Sequence, residues 1–370
     1  MKYYLIAGEA SGDLHASNLI KALKKTDQNA SFRAFGGDLM KEAGASLFLH
    51  YREMALMGLV EVVTKLGTIR EHKKACRQDI LEWKPDVLIL VDYSGFNLPM
   101  ARFACKKNIP VIYYISPKLW AWAQWRVKTI RKCVKRMFVI LPFEVEFYKQ
   151  HEVHAEYYGN PVLDSITEYR MTPDKDGEFI RKYAAGKPII ALLAGSRKQE
   201  INALLPEMLA IIPDFPDYKF IIAGAPSITN EYYQGLIKDN PVDIVFNQTY
   251  NLLSHSAAAV VTSGTATLET ALLNVPEVVI YKTNPVTLFI GRFLVKVKFF
   301  SLVNLILDKE AVKELLQENL SYDISLELKK ILSDESYRLN MLNDFKKLRE
   351  ILGNPGVADR VATRISQIMK

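Results

Sequence analysis

Apolar positions in this chain gather into short unbroken runs separated by helix-length segments. In the first half the runs cover residues 3–7, 32–35, 87–91, 111–115 and 137–141; in the second they cover 189–193, 220–223, 244–246, 258–262 and 278–281. Unbroken runs suit strands buried on both faces. Their alternation with helical periods predicts an α/β chain with two parallel sheets built from βαβ units. The polar stretch 159–187, with Pro161, Pro173 and Gly177, is the expected hinge. The expected domains are 1–163 and 164–345, with residues 346–370 forming a helix that packs back across the junction. Ligands of such sheets bind beyond the carboxyl ends of the strands, so the loops after these runs are where chemistry is sought.

Composition narrows the setting. A chain of 370 residues has length for about two domains. The longest nearly apolar stretch, 288–307, is interrupted by Arg292, Lys296 and Lys298, so no spanning helix is expected. The amino-terminal segment lacks a signal-peptide pattern, which points to the cytosol or the cytosolic face of a membrane. Cys76, Cys105 and Cys133 have no CxxC spacing and suggest neither a disulfide framework nor a zinc site. His151 and His154 lack a partner cluster, and no metal or cofactor is expected. The net charge of +7 fits anionic lipid, nucleotide phosphate or nucleic acid. The basic residues near 128–135 match no nucleic-acid motif and read as a solvated helix face, so no nucleic-acid partner is expected.

Four strand-end loops carry candidate chemistry. Gly8-Glu9-Ala10-Ser11-Gly12-Asp13 follows the first run; its glycines allow close backbone approach, and Ser11 or Asp13 is the expected cap of the next helix. It lacks both the P-loop ending and the GxGxxG spacing, and Glu9 places an acid at the strand end. Val91-Asp92-Tyr93-Ser94-Gly95-Phe96-Asn97 puts a carboxylate at the mouth of the sheet, either as a base with a raised pKa or as a loop and cap residue. Leu193-Ala194-Gly195-Ser196-Arg197 and Thr262-Ser263-Gly264-Thr265 each join a strand to a helix. Exposed amides, small hydroxyls and a guanidinium suit a diphosphate without a metal, and Glu269 suits ribose hydroxyls. Ser263 or Thr265 is equally readable as a helix cap. Trp120, Trp122 and Trp125 cluster beside Lys118 and Arg126, as core or as a sugar or acyl platform. Leu59, Val62, Val63, Leu66 and Ile69 form an apolar stripe flanked by Lys65, Arg70, Lys73, Lys74 and Arg77. That stripe suits an anionic lipid surface or ordinary packing on the sheet.

These motifs resemble the lipid-A-disaccharide synthase family. The matching pieces are GEASGD at 8–13, MALMGLVEV at 54–62, VDYSGFN at 91–97, YISPKLWAW at 114–122, LAGSRKQEI at 193–201, SGTATLE at 263–269 and SLVNLILDKEAVKELLQE at 301–318. The resemblance implies a GT-B fold, two Rossmann-like domains facing a cleft, and metal-independent transfer from UDP-2,3-diacylglucosamine to the 6-hydroxyl of 2,3-diacylglucosamine 1-phosphate. It places the essential acid on Asp92, with Glu9 as the second candidate base and Ser11 beside it in the acceptor-side loop. It places nucleotide contacts on Arg197, Glu269 and Asn304, which join the candidate phosphate positions Gly195, Ser196, Ser263, Gly264 and Thr265 of the two loops. Lipid-bearing substrates favour the membrane reading of Val62, Val63, Leu66, Ile69 and Lys73, and hence a peripheral enzyme on the cytosolic face of the inner membrane; a homodimer is worth testing. Two departures stand out: the family's DxPDFN reads DYSGFN here, and its GHP reads Gly159-Asn160-Pro161. A peptidoglycan lipid-intermediate transferase and a UDP-sugar 2-epimerase are alternatives that GEASGD and SPKLWAW disfavour; a silent nucleotide- or lipid-binding module is a third, which the intact Asp92, Arg197 and Glu269 disfavour.

Overall fold

The computed structural model describes residues 1–55, 66–121, 123–171, 176–282, 298–316 and 319–369. The chain divides into two compact units, one of Met1–Asp164 with Asn354–Lys370 and one of Ser165–Gly353. Each is built on its own parallel sheet.

In the first unit β1 (Lys2–Ala7), β2 (Ser31–Gly36), β3 (Ser46–His50), β4 (Val87–Val91), β5 (Val111–Tyr114), β6 (Arg136–Val139) and β7 (Ala155–Tyr157) lie in the order β3-β2-β1-β4-β5-β6-β7. Successive side chains of a strand point to opposite faces, and the two cores divide accordingly. Tyr3, Leu5 and Ala7 of β1 join Val87, Ile89 and Val91 of β4 on one face. Tyr4 and Ile6 join Leu88 and Leu90 on the other. The first face is covered by the helices Ala10–Thr26 and Val357–Met369, the second by Leu66–Trp83, Ser94–Lys106 and Val127–Cys133.

Helix Val357–Met369 buries Val357, Ala358, Val361, Ala362 and Ile365, one face of a 3.6-residue period. Its valines and isoleucine are each worth about 1.5–3 kcal/mol of burial. Asp164 starts it by accepting the backbone N–H groups of Gly356, Val357 and Ala358 at 2.6, 3.1 and 3.0 Å. Unit 1 is therefore closed by a segment that comes after unit 2 in the chain.

The second unit contains β8 (Ile189–Leu193), β9 (Lys219–Gly224), β10 (Asp243–Phe246), β11 (Ser256–Thr262), β12 (Glu277–Tyr281) and β13 (Lys313–Leu316), in the order β10-β9-β8-β11-β12-β13. All ten apolar runs read from the sequence are strands. The three strands without such a run, β3, β7 and β13, lie at sheet edges. No helix of the described residues is long and apolar enough to cross a membrane.

Candidate functional site

Strand order reverses between β1 and β4 in one sheet and between β8 and β11 in the other. Crevices open at such points beyond the strand ends. Direct pairing fixes which loops meet there. Ala7 stands opposite Val91, so the Gly8-Glu9 and Asp92-Tyr93 loops leave the first sheet side by side. Val261 stands opposite Leu193, which does the same for the Ser263 and Gly195 loops.

In unit 1 the two loops interlock. Asp92 and Tyr93 both take left-handed backbone (φ 44° and 45°), and Ile115 beyond β5 does too (φ 64°). That conformation disfavours residues with a Cβ by about 1–2 kcal/mol each, so the surroundings must hold it. Asn97, fully buried, donates from Nδ2 to the carbonyls of Val91 and Asp92 at 3.0 and 2.8 Å. The Tyr113 hydroxyl also donates to the Asp92 carbonyl, and the Asp92 N–H donates to the Ile115 carbonyl at 3.1 Å. Tyr93 lies so close over Gly8 that a Cβ there would stand 2.2 Å from its ring. Burial, then the nearby Glu9 carboxylate, pushes the Tyr93 hydroxyl up to about 12. The Asp92 carboxylate acts in the same sense on Tyr113 and Tyr148. Glu9 and Asp92 are thus brought to one strand-end mouth, with Ser11 exposed in the first helical turn beside Glu9.

The expected cap is not found. Glu9 occupies the cap position of helix Ala10–Thr26 without a side-chain cap bond. Asp13 instead reaches another helix, accepting the N–H groups of Gly37, Leu39 and Met40 at 2.8, 3.1 and 3.1 Å. Sequence reasoning also passed over Glu144. Its buried carboxylate accepts from Ser116 Oγ, from Trp120 Nε1 at 3.1 Å, and from the Ile140 and Leu141 N–H groups at 3.2 and 3.0 Å. Burial lifts its pKa to about 7 against the pull of those donors. An acid one turn past the strand in the apolar Leu141-Pro142-Phe143-Glu144 segment was the available signal. Trp120 belongs to this clamp and meets Phe143 edge-on at 5.0 Å, whereas Trp125 is 69% exposed. Trp122 lies outside the described residues. Asn160, at the family's histidine position, is buried and donates to the Ile140 carbonyl at 3.0 Å.

In unit 2 the loops are more open. Gly195 has φ +107°, and a Cβ there would meet Glu200 at 2.6 Å. Glu200 accepts the Ser196 N–H at 3.1 Å and pairs with Arg197 at 3.3 Å. Ser196 is exposed, and Arg197, at the cap position of helix Lys198–Ala210, is 64% exposed. Gly264, not Ser263 or Thr265, occupies the cap position of helix Thr265–Leu272. Ser263 turns its hydroxyl to the Phe300 carbonyl at 2.7 Å, and Thr265 is exposed. With no side-chain cap bond at either helix, their first amides suit an anion. Glu269 accepts from the Tyr250 hydroxyl at 2.7 Å, and burial raises its pKa.

Asn304, expected near the nucleotide phosphates, is engaged within its own loop. It is fully buried, donates to the Val312 carbonyl and Glu314 at 2.8 Å each, and accepts the N–H groups of Ala311 and Val312 at 2.7 and 3.0 Å. Its side-chain amide shapes the chain before β13. Val62, Val63 and the side chain of Leu66 lie outside the described residues, as does 283–297. Ile69 and Lys73 are each only partly exposed. Among the described residues no three His, Cys, Asp or Glu side chains are grouped so as to hold a metal.

The fold is shared with an epimerase and a glycosyltransferase of known structure. A UDP-GlcNAc 2-epimerase from Neisseria meningitidis, solved bound to UDP-GlcNAc, superposes with a TM-score of 0.72 at 14% identity, covering 99% of this chain and 100% of that one. The calicheamicin glycosyltransferase CalG4 superposes at 0.60, also at 14% identity, covering 99% and 98%. The class defined is the GT-B fold. Sequence goes further: a family model described as lipid-A-disaccharide synthetase matches residues 3–359. The lipid-A-disaccharide synthase of Syntrophus aciditrophicus is 39% identical over 376 residues, covering 99% of this chain and 97% of that protein. That of Geobacter sulfurreducens is 36% identical over 374 residues, covering 99% and 96%. The chain belongs to the lipid-A-disaccharide synthase family, glycosyltransferases of lipid A biosynthesis.

Proposed function

We propose that the chain transfers 2,3-diacylglucosamine from its UDP derivative to the 6-hydroxyl of 2,3-diacylglucosamine 1-phosphate, giving the β(1→6) disaccharide phosphate and UDP. The observation that carries this reading is Asp92: a carboxylate on a strained, hydrogen-bonded loop at the switch point of the first sheet. Asp92 takes the acceptor hydroxyl proton as the oxygen attacks the donor's anomeric carbon with inversion; Glu9, beside Ser11 in the neighbouring loop, is the second candidate. The first unit then serves the acceptor and the membrane, the second the donor. Arg197 and the amides after Gly195 and Gly264 offset the charge growing on departing UDP, and Glu269 holds the ribose. No metal enters these steps.

Both substrates carry acyl chains, so the enzyme works adsorbed on an anionic cytosolic membrane face through the apolar stripe that includes Val62, Val63, Leu66 and Ile69. Mass spectrometry of the product made from the two diacyl sugars tests the reaction. A disaccharide phosphate with stoichiometric UDP supports it; UDP-sugar epimerisation or no turnover refutes it. Sedimentation of Val63→Glu/Leu66→Glu with anionic liposomes tests adsorption, with reduced binding expected and undiminished binding refuting it. Ultracentrifugation decides whether the working form is a homodimer.

A further inference from the structure

The strand ends that carry Asp92 and Ser116 are neighbours in the first sheet. Val91 stands opposite Tyr114 in the pairing of β4 with β5, and the Asp92 N–H donates to the Tyr114 and Ile115 carbonyls at 3.3 and 3.1 Å. Ile115 is left-handed (φ 64°), and the next residue, Ser116, is buried with its hydroxyl on Glu144 Oε1. The same oxygen accepts the Trp120 Nε1–H at 3.1 Å, while Oε2 accepts the Ile140 and Leu141 N–H groups at 3.2 and 3.0 Å. One carboxylate, 1% exposed, therefore ties both ends of the 116–120 loop to the chain that leaves β6. Tyr148, one turn along helix Glu144–Gln150, adds a bond from its hydroxyl to the Pro117 carbonyl at 3.4 Å.

Four donors satisfy an ionised carboxylate and leave a neutral one at odds with its surroundings. An N–H cannot accept, so an acid proton has no place on Oε2; on Oε1 it can point only at Ser116 Oγ. The Ser116 proton must then turn away, toward the Pro117 carbonyl at 3.5 Å. Protonation thus rewrites the one bond that joins Glu144 to the β5 end next to Asp92. Burial, opposed by the four donors, lifts this acid to about 7, so both of its forms occur near neutral pH. The titratable groups around it are Tyr148 of its own helix, Tyr157 of β7 and, beyond Tyr148, Asp92 and Tyr113. Burial holds the three tyrosines above their ordinary range, so they stay neutral there.

We propose that Glu144, as the carboxylate, is a positioning residue for sugar transfer: it fixes the Ser116–Trp120 loop and, through Ile115, the loop that aims Asp92. The inference rests on the base role given to Asp92 above. Enclosed as it is, Glu144 acts through Asp92 and not on the sugars.

The test measures UDP release from the two diacyl sugars by the full chain and its variants. Glu144→Gln keeps the side chain's shape but offers one acceptor oxygen where two are used. Its kcat should fall about 10–100-fold, as for a catalytic group displaced by up to an ångström, with the KM for the UDP-sugar unchanged. Ser116→Ala is the milder change, leaving the other three bonds of the clamp, and should lower kcat about 3–10-fold with the same KM. Wild-type kcat in either folded variant overturns the proposal, and so does a loss confined to the donor KM. The pH profile separates aim from stability alone. Wild-type kcat should fall as pH drops through about 7, where Glu144 takes up its proton, and that limb should be absent in Glu144→Gln. An identical profile in both overturns the proposal. The indole of Trp120 reads the clamp without turnover: fluorescence should titrate over the same range in wild type and not in Glu144→Gln, and equal behaviour of the two overturns the proposal. Near-normal turnover in Asp92→Asn would sink the base reading, and the positioning role with it. Loss of turnover in Asp92→Asn beside wild-type kinetics in Glu144→Gln would sink the positioning role alone.

Discussion

The two switch points are built to opposite plans. In unit 1 the loop bearing Asp92 is strained and fastened from three sides, by Asn97, Tyr113 and the packing of Tyr93 on Gly8. In unit 2 Ser196, Arg197 and Thr265 are exposed, and the helices after Arg197 and Gly264 lack side-chain caps. A group that acts on a proton must be held to a fraction of an ångström, whereas a phosphate seat works through amides already aligned by a helix. Damage to the first should therefore appear in turnover, and damage to the second in donor binding.

The largest effect is expected for Asp92→Asn, which keeps the shape of the loop and removes the base: kcat should fall about 10²–10⁴-fold with UDP affinity unchanged by calorimetry. Near-normal turnover would remove Asp92 from that role. Gly8→Ala probes the fastening alone, because its Cβ would meet the Tyr93 ring at 2.2 Å. Displacing that ring by about an ångström should lower kcat roughly 10²-fold with Asp92 still present; unchanged kinetics would mean that the interlock does not position the acid. Arg197→Ala should act in the other unit, raising the donor KM about 10-fold, as expected for a lost charge-assisted contact. An effect confined to acceptor kinetics would break the comparison between the units.

The smallest effect concerns stability. Glu144 in unit 1 has a donor for each carboxylate oxygen, whereas Glu277 at the start of β12 is fully buried and no hydrogen bond reaches either of its oxygens. Burial raises the Glu277 pKa well above its ordinary value. For an acid raised on folding, the native state binds the extra proton, so stability is fully present below the unfolded pKa near 4.5 and declines as pH rises toward the folded value. Glu277→Met should add about 1–3 kcal/mol at neutral pH and flatten that decline, read from urea melts at pH 5 and pH 8. A variant less stable at pH 8 would show that the carboxylate has a stabilising role.

The central strands were legible because burial on both faces demands unbroken apolar runs, as in Val87–Val91 and Ile189–Leu193. The edge strands Ser46–His50, Ala155–Tyr157 and Lys313–Leu316 were not, since a strand paired on one side and partly solvated needs no such run. Strand-end loops brought out Glu9, Asp92 and Arg197 as candidates, and Glu269 was read from its place one turn into the helix that follows such a loop. Local pattern could not disclose how they are held. Asp13 serves amides 24 to 27 residues ahead, Glu144 fastens a loop 28 residues behind it, and Asn304 turns inward to its own loop. Such partners are neighbours only after the sheet has formed, so no window along the chain contains them.

The position of helix Val357–Met369 in the chain also bears on synthesis. On a ribosome, Ser165–Gly353 is complete before the segment that covers one face of the first sheet has been made. The later half of the gene therefore encodes a unit free to fold first, while the earlier half waits with Tyr3, Leu5 and Leu19 incompletely covered. Chains halted before residue 354 should accordingly be captured by chaperones through their amino-terminal rather than their carboxy-terminal half.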